Sequence, residues 1–270
     1  MPIITITRGS LSATFKLAQK LSDTIGCRVV SREDVLKYAT KYGIEETGLG
    51  TVGIMEKEPP HFWDRHAPQR RYYLTIFKAA LMDKIVEGCA VYHGHLGQFL
   101  LSDVPKLLRV RANASVQFRI NNLMKESGMT EVQAEQHIRE IDNKRVSWAK
   151  FLYGVDFNSN MNFDLILNLD RMSIDTIAGI IVCATERPEF KLDETSLKQI
   201  RDARLRAVIF AHLVRSPRTR GMDLRVECDS ATGQVTVRGM APVYGSEIWR
   251  NDIKDVVSKV EGITKVDISA

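Results

Sequence analysis

The sequence predicts an α/β protein in which helices cover a parallel sheet on both faces, followed by a smaller α+β module. Short β-branched runs alternate with longer helical patterns over the first 190 residues, which is typical of parallel sheets. After Pro188 the order changes to helix, strand, strand, helix, strand. Hydrophobic residues make up 44% and charged residues 26% of the 270 residues, so both parts can bury a core.

The chain opens with a predicted strand, loop and helix. Residues 3–7 alternate Ile and Thr as a strand does. Apolar or small side chains then recur at helical spacing, at Thr14, Leu17, Ala18, Leu21 and Ile25. Gly26 follows this stretch, and we expect it to end the helix. Four further β-like runs, at residues 28–30, 90–93, 107–110 and 165–169, supply the remaining strands of the sheet.

Two later helices carry clear end signals. The first covers 116–124, and Gly128 lies where a left-handed cap would end it. The second begins at the capping-box pattern Thr130-Glu131-Val132-Gln133 and continues through Trp148. One face of the second helix is basic, with Arg139, Lys144, Arg145 and Lys150. This face is either a solvated surface or a lid that faces phosphate.

The last part of the chain has the order αββαβ. A helix over 197–214 precedes two alternating runs, 224–228 and 234–238, which predict a hairpin. A second helix over 248–260 ends near Gly262, and residues 264–269 close with a strand. We expect a linker over 185–193, a first domain of residues 1–190 and a second of residues 191–270.

Charge, cysteine spacing and hydropathy exclude several classes of protein. The net charge of +5 suits phosphate-bearing ligands, but it is too small to require nucleic acid. The four cysteines lie far apart without a CxxC pair, so we expect buried reduced thiols and no zinc site. No apolar run approaches the length of a membrane span, and no secretory leader is recognisable. These features favour a cytoplasmic protein without a transmembrane segment.

The loop at residues 8–16 is the strongest candidate for phosphate binding. A strand that ends in a small-residue loop and feeds a helix directs several N–H groups at one point. Aligned on Gly9, however, the template GxxxxGK[ST] finds Thr14 and Phe15, with Lys16 one position late. One position on a helix is a rotation of about 100°, so Lys16 would reach phosphate only after rearrangement. Alternatively, Ser12 caps the helix and Lys16 is solvated.

Three other stretches allow more than one interpretation. The string Gly48-Leu49-Gly50-Thr51-Val52-Gly53 matches GxGxxG, but no buried strand precedes it, so we expect a connector. His93, Gly94 and His95 lie where a predicted strand ends and could contact a ligand, or the histidines could be ordinary strand-end residues; we expect no metal there. The cluster Arg70-Arg71-Tyr72-Tyr73 could stack a base and hold a phosphate, or form an interface.

Several strings together resemble one family. They include Ile-Thr-Ile-Thr-Arg-Gly-Ser at the start, Val91-Tyr92-His93-Gly94, Leu108-Arg109-Val110-Arg111, Ile141-Asp142-Asn143-Lys144-Arg145 and Tyr153-Gly154-Val155-Asp156. In this order and spacing, residues 1–185 resemble the cytidylate kinase-like proteins of the P-loop nucleoside monophosphate kinase group. The tail from Leu197 resembles a BON module at Gly233, Val235, Val237, Gly239, Val260, Gly262 and Val266.

The first resemblance implies a three-layer P-loop NTPase-type fold with a helical lid, which binds a nucleoside triphosphate at the first loop. By this likeness, the donor nucleotide contacts Arg8, Gly9, Ser10, Ser12, Thr14, Asp170 and Arg171. The catalytic cations are Lys16, Arg119, Lys144 and Arg145. The acceptor contacts Arg32, Asp34, Arg70, His93 and Gly94.

The implied function is phosphoryl transfer from a nucleoside triphosphate to a monophosphate such as CMP, with ATP and Mg. The alternative is a pseudokinase that binds nucleotide or phosphate as a regulatory or scaffold protein. Two departures from the family pattern favour that alternative: the loop lacks its second glycine and lysine, and Leu17 follows Lys16 where a Mg-binding hydroxyl is usual. The BON likeness of the tail implies association with protein or phospholipid, and self-association through a small αββαβ module is the alternative.

Overall fold

The computed structural model describes residues 1–7, 11–43, 59, 67–94 and 96–269, and only the backbone of residues 11 and 12. These residues form two compact units. The first unit contains the described parts of 1–34, 55–62 and 87–193. The second unit contains the described parts of 35–54, 63–86 and 194–270. No helix within the described ranges is long and apolar enough to cross a membrane.

The first unit is built on a five-stranded parallel sheet with strand order β2-β3-β1-β4-β5. The strands are β1 (Ile3–Thr7), β2 (Arg28–Ser31), β3 (Ala90–Gly94), β4 (Leu107–Asn113) and β5 (Leu165–Asn168). All neighbouring pairs run parallel. The predicted mixed α/β fold with a parallel central sheet is therefore confirmed.

Strands β1 and β3 lie at the centre of the core, since every residue in both is buried. Helices α1 (Leu11–Ile25) and α7 (Ile174–Thr185) pack against each other beside the sheet. Their side chains Leu17, Leu21 and Ile181 are fully buried in one cluster with the strands. Burial along the whole of a strand requires cover on both faces, as the sequence predicts.

The caps that the sequence predicts are present. Helix α5 (Val116–Ser127) ends at Gly128, which adopts φ 70°. Thr130 and Gln133 form the capping box of helix α6 (Glu131–Tyr153). Helix α6 runs five residues beyond the predicted end at Trp148, up to a left-handed cap at Gly154. A short helix, α4 (Gly97–Leu100), follows β3, and 3-10 turns lie at Thr40–Tyr42 and Asn160–Asn162.

The second unit contains the predicted αββαβ order. Its elements are α8 (Glu194–Arg215), β6 (Leu224–Asp229), β7 (Gln234–Gly239), α9 (Ser246–Val257) and β8 (Lys265–Ser269). Strands β6 and β7 form an antiparallel hairpin, and β8 joins β7 in parallel. Helix α2 (Arg32–Ala39) leads into this unit, and helix α3 (Ala67–Ile85) also belongs to it.

Helix α3 groups with the C-terminal elements because it packs along α8. Nε of Arg204 on α8 donates to Oδ1 of Asp83 on α3 at 2.6 Å. The hydroxyl of Tyr42 donates to the other oxygen of the same buried carboxylate at 2.5 Å. The second unit therefore includes residues that precede the boundary expected at 190. The division into two independent domains stays a prediction.

The cysteine expectation is wrong for one pair. Cys27 and Cys89 form a disulfide, with Cα atoms 4.6 Å apart. Arg28 pairs in register with Ala90, so the residues just before β2 and β3 are brought side by side. Cys183 and Cys228 are free, but Cys183 is exposed rather than buried.

Candidate functional site

A polar cavity of about 240 Å³ lies in the first unit at the carboxyl ends of β1 and β4. This end of a parallel sheet is where open α/β folds bind ligands. Thr7, the last residue of β1, and its register partner Arg111 on β4 both line the cavity. The other lining residues come from β4, α5, α6 and the segment after α6: Asn113, Arg119, Asp142, Asn143, Arg145, Val146, Phe157 and Asn158.

Two arginines of the cavity share one carboxylate. Nη1 and Nη2 of Arg119, on α5, donate to the two oxygens of Asp142, on α6, at 2.6 and 2.9 Å. Arg145, one turn further along α6, donates from Nη1 to Asp142 at 3.4 Å. The side chains of Arg119 and Arg145 are 12% and 9% exposed. The three groups carry a net positive charge, so the cavity favours an anion.

Arg111 is held in a different way from these two. Its guanidinium carbon lies 5.7 Å from the ring centroid of Phe157 and 5.5 Å from that of Phe163. Nη2 of Arg111 donates to the amide oxygen of Asn158 at 3.3 Å. Burial lowers the pKa of Arg111 below its ordinary value, although the charge of Asp142 opposes this shift. Arg111 thus adds a third positive charge to the cavity.

Buried polar contacts connect the start of α1 to β3 and the end of β1 to α4. Oγ1 of Thr14 lies 2.9 Å from Nε2 of His93. Thr7 donates its hydroxyl hydrogen to Oε1 of Gln98 at 3.0 Å. In the portion of the chain that is described, the buried Nε2 of Gln98 has no hydrogen-bond partner. It is therefore a donor that a ligand at this end of the sheet can satisfy.

Gly94 is required by the ring of Tyr92. A Cβ at position 94 would lie 2.1 Å from the Tyr92 hydroxyl oxygen, and a Cβ at Gly97 would lie 2.6 Å from a carbon of the same ring. Both distances are far below van der Waals contact. The glycines therefore allow the backbone after β3 to pass over a fully buried aromatic ring.

The structure brings together two of the four predicted catalytic cations, Arg119 and Arg145. Lys144 is half-buried on α6 and does not line the cavity. Lys16 is exposed on α1 and lies outside the lining as well. Its exposure agrees with the alternative in which this side chain is solvated, and its catalytic role stays a prediction.

Other predicted site residues have structural partners of their own. Asp170 accepts hydrogen bonds from the backbone N–H and hydroxyl of Ser115, and these bonds lower the pKa of Asp170. Asp34 accepts from the backbone N–H of Ser31 at 3.0 Å, in the first turn of α2. Arg171 is exposed and Arg32 is half-buried.

The remaining predicted residues are divided between the two units. His93 and Gly94 are buried at the end of β3, whereas Arg70 is buried on α3 in the second unit. Arg8, Gly9, Ser10 and the side chain of Ser12 lie outside the described residues, as do His95 and residues 48–53. Their predicted roles therefore stay predictions.

Most residues of the site were missed by the sequence reasoning, among them the polar residues Arg111, Asp142, Asn158 and Gln98. Arg111 and Asp142 stand within strings that carry the family resemblance, but nothing in their spacing indicated a role. Their importance comes from contacts between residues distant in sequence, such as the 23 positions between Arg119 and Asp142. No local pattern records such contacts.

The described residues contain no group of three or more His, Cys, Asp or Glu side chains placed to hold a metal ion. Asp142, the carboxylate in the cavity lining, already accepts from two guanidinium groups. Mg²⁺ is commonly bound through few protein carboxylates and the phosphates of the substrate, and we derive no step through it.

Comparison with known proteins identifies the family of the chain. The model of the cytidylate kinase-like family matches residues 3–171. A cytidylate kinase of Sulfurisphaera tokodaii is 24% identical over 179 residues, which cover 66% of this chain and 92% of the relative. A cytidylate kinase of Ignicoccus hospitalis is 23% identical over 184 residues, covering 67% and 97%.

A solved structure shows the same fold. The crystal structure of a protein from Eubacterium ventriosum superposes with a TM-score of 0.50 and 17% identity, and covers 68% of this chain and 98% of that protein. The matched family model extends over most of the first unit, from β1 to the residues just after β5. The chain therefore belongs to the cytidylate kinase-like family and has a nucleotide kinase-like function.

Proposed function

We propose that the first unit transfers a phosphoryl group from ATP to CMP at the cavity beside β1 and β4. The observation that carries this proposal is the convergence of Arg111, Arg119 and Arg145 on one cavity that holds a single carboxylate. Phosphoryl transfer is accelerated mainly by positioning and by cations placed where charge spreads in the transition state. CMP is proposed because the matched relatives are cytidylate kinases.

The ion pairs of Asp142 prepare the two lid arginines for phosphate. Asp142 holds Arg119 in a bidentate pair and Arg145 through a longer bond. A phosphate offers more oxygens and more negative charge than one carboxylate, so it can recruit both guanidinium groups. The carboxylate thus orients the cations before the ligand arrives and limits the cost of ordering them.

The nucleotide contacts keep the assignment that the resemblance implies. The donor site includes Arg8, Gly9, Ser10, Ser12, Thr14, Asp170 and Arg171. Of the predicted acceptor residues, Arg32, Asp34, His93 and Gly94 belong to the first unit and are kept in the acceptor site. Among these, the buried position of His93 beside Thr14 supports a role at the sheet end rather than in the solvent.

A coupled assay that follows ADP formation from ATP and CMP tests the proposal. We expect turnover in the full chain, and its loss in Arg145→Ala and Lys16→Ala. Arg139→Ala is the matched control for Arg145, because Arg139 is exposed on the same helix and pairs with Glu135. Full activity in Arg145→Ala or in Lys16→Ala would remove that residue from the mechanism.

The pseudokinase is the second candidate function, favoured by the exposed position of Lys16. Thr14 also replaces the usual second glycine, and its side chain is fully buried. A change of side chain does not remove a backbone N–H donor, so nucleotide binding can persist without turnover. Saturable ATP binding by calorimetry without ADP formation would select this candidate.

For the second unit we propose self-association, and its likeness to a BON module stays a prediction. Four large side chains, Met240, Val243, Tyr244 and Ile248, are 68–95% exposed around the β7–α9 connection. Exposed apolar side chains in such number favour an interaction surface. Light scattering of the full chain and of Tyr244→Ser at increasing concentration tests this. An unchanged monomer mass in both would contradict self-association.

A further inference from the structure

We propose that Arg111 is a catalytic residue that contacts the phosphoryl group in transfer. This inference rests on the function proposed above. It assigns a role to a residue on β4, whereas Arg119 and Arg145 lie on α5 and α6.

The position of Arg111 is fixed by the sheet. Arg111 pairs in register with Thr7, the last residue of β1, and both residues line the cavity. The chain that continues from Thr7 is the loop proposed to hold the donor phosphates. Arg111 therefore lies beside Thr7, the described residue from which that loop continues. Lys16, by contrast, is exposed on α1 and outside the cavity lining.

The partners of Arg111 fix its orientation without a direct ion pair, and the charges of Asp142 and Asp156 act on it only from a greater distance. The rings of Phe157 and Phe163 approach the guanidinium, and Asn158 accepts one N–H. Aromatic faces and a neutral amide hold a cation without neutralising it. Among the described residues, Arg111 forms no ion pair with a carboxylate within 4.0 Å, so its attraction for an incoming anion is retained.

Arg109 provides the contrast on the same strand. It lies two residues before Arg111, on the same side of β4, since side chains alternate along a strand. Its Nη2 donates to Asp164 at 2.7 Å, and its Nε donates to the other oxygen at 3.1 Å. Arg109 thus has its own carboxylate and is absent from the cavity lining. Arg109 has an ion-pair partner, whereas Arg111 has none within 4.0 Å among the described residues. An anion site requires an arginine of the second kind.

The reaction step needs such a cation. An oxygen of the monophosphate forms a bond to the terminal phosphorus of the triphosphate, while the bond from that phosphorus to the bridging oxygen breaks. The products are two nucleoside diphosphates. Negative charge spreads over the terminal phosphoryl oxygens and the bridging oxygen during this exchange, and a fixed guanidinium stabilises it.

Two variants separate charge from packing at position 111. Arg111→Met keeps a long apolar stem against the two phenylalanine rings, whereas Arg111→Lys keeps the charge without the planar group. We expect kcat to fall about 100- to 1,000-fold in Arg111→Met. Arg111→Lys should retain at least about tenfold more activity than Arg111→Met. Arg109→Gln, the matched control, should retain kcat within about threefold.

Binding measurements give a second readout that does not need turnover. The terminal phosphoryl group distinguishes ATP from ADP, so the wild-type chain should bind ATP more tightly. Arg111→Met should lose about tenfold in ATP affinity and less than threefold in ADP affinity. Thermal unfolding of each variant confirms that the fold is retained.

The outcomes separate this inference from the proposed function. A wild-type chain that binds neither nucleotide contradicts both. If the wild-type chain binds ATP and the Arg111→Met variant keeps the preference for ATP over ADP, only the role of Arg111 is overturned. Equal loss of activity in Arg111→Met and Arg111→Lys would show that position 111 contributes the packing of a planar group rather than charge. That result would also overturn the catalytic role of Arg111.

Discussion

The hydroxyl oxygen of Thr14 lies 2.9 Å from Nε2 of His93, although 79 residues separate them in the chain. Both side chains are buried, at 0% and 2% exposure. Thr14 stands where the phosphate-loop template has its second glycine. The contact connects the first turns of α1 to the end of β3. The threonine that replaces the glycine of the template is therefore part of the core of the first unit.

Thr14→Val should destabilise the protein by about 1–3 kcal/mol, because it removes a buried hydrogen bond while nearly preserving shape. Urea denaturation measures the change. Thr24→Val is the control, since Thr24 is exposed on the same helix and donates to the backbone of Lys20. The control should change stability by less than about 0.5 kcal/mol. Equal effects of both variants would mean that the contact with His93 contributes nothing specific.

Gly94→Ala should cost about 1–3 kcal/mol through overpacking, because the new Cβ would overlap the Tyr92 ring. Combining it with Tyr92→Leu should recover part of this loss relative to Tyr92→Leu alone. Gly179→Ala on α7 is the control, since nothing lies within 4 Å of a Cβ there, and it should be neutral or stabilising. Additive effects of the Gly94 and Tyr92 changes would contradict the overlap.

The Cys27 to Cys89 disulfide predicts the thiol content of the chain. Unfolded without reductant, the protein should expose two thiols to a thiol reagent, from Cys183 and Cys228. After reduction it should expose four. Cys89→Ser should lower the free energy of unfolding by about 2–4 kcal/mol, since the crosslink spans 62 residues, whereas Cys183→Ser should not. Four thiols before reduction would contradict the pairing.

His212 on α8 should make stability depend on pH. Burial lowers its pKa below 6.5, and the charge of Arg215 lowers it further. Between pH 6.5 and the lower pKa of the folded state, the unfolded chain therefore binds a proton that the folded chain does not. The free energy of unfolding is therefore fully retained above pH 6.5 and falls as the pH drops through that window. His212→Gln should reduce this slope in denaturation series from pH 7.5 to 5.0. Identical slopes in both proteins would exclude His212 as the source.

Local patterns predicted the elements of this protein well. The capping box at Thr130 and Gln133 and the left-handed cap at Gly128 appear where the sequence indicates them. Such signals act within one helical turn, so the residues that form them are neighbours in the sequence. The parallel sheet was predictable for the same reason, since each strand is marked by its own β-branched run.

Long-range contacts were not predictable from one sequence. The register of β1 and β4 brings Thr7 beside Arg111, and the register of β2 and β3 brings Cys27 beside Cys89. Helix α3 joins the second unit through its packing on α8 and through the buried Asp83. Each of these contacts depends on how distant elements pair, and no spacing rule along the chain describes that.

Calorimetric titration of the full chain with ATP tests the central claim most directly. The cavity of Arg111, Arg119 and Arg145 should give saturable binding with one site per chain, and Arg145→Ala should weaken it at least about tenfold while Arg139→Ala leaves it unchanged. Absence of binding by the wild-type chain, or equal affinity in the wild-type chain and Arg145→Ala, would contradict the assignment of this cavity to nucleotide phosphates.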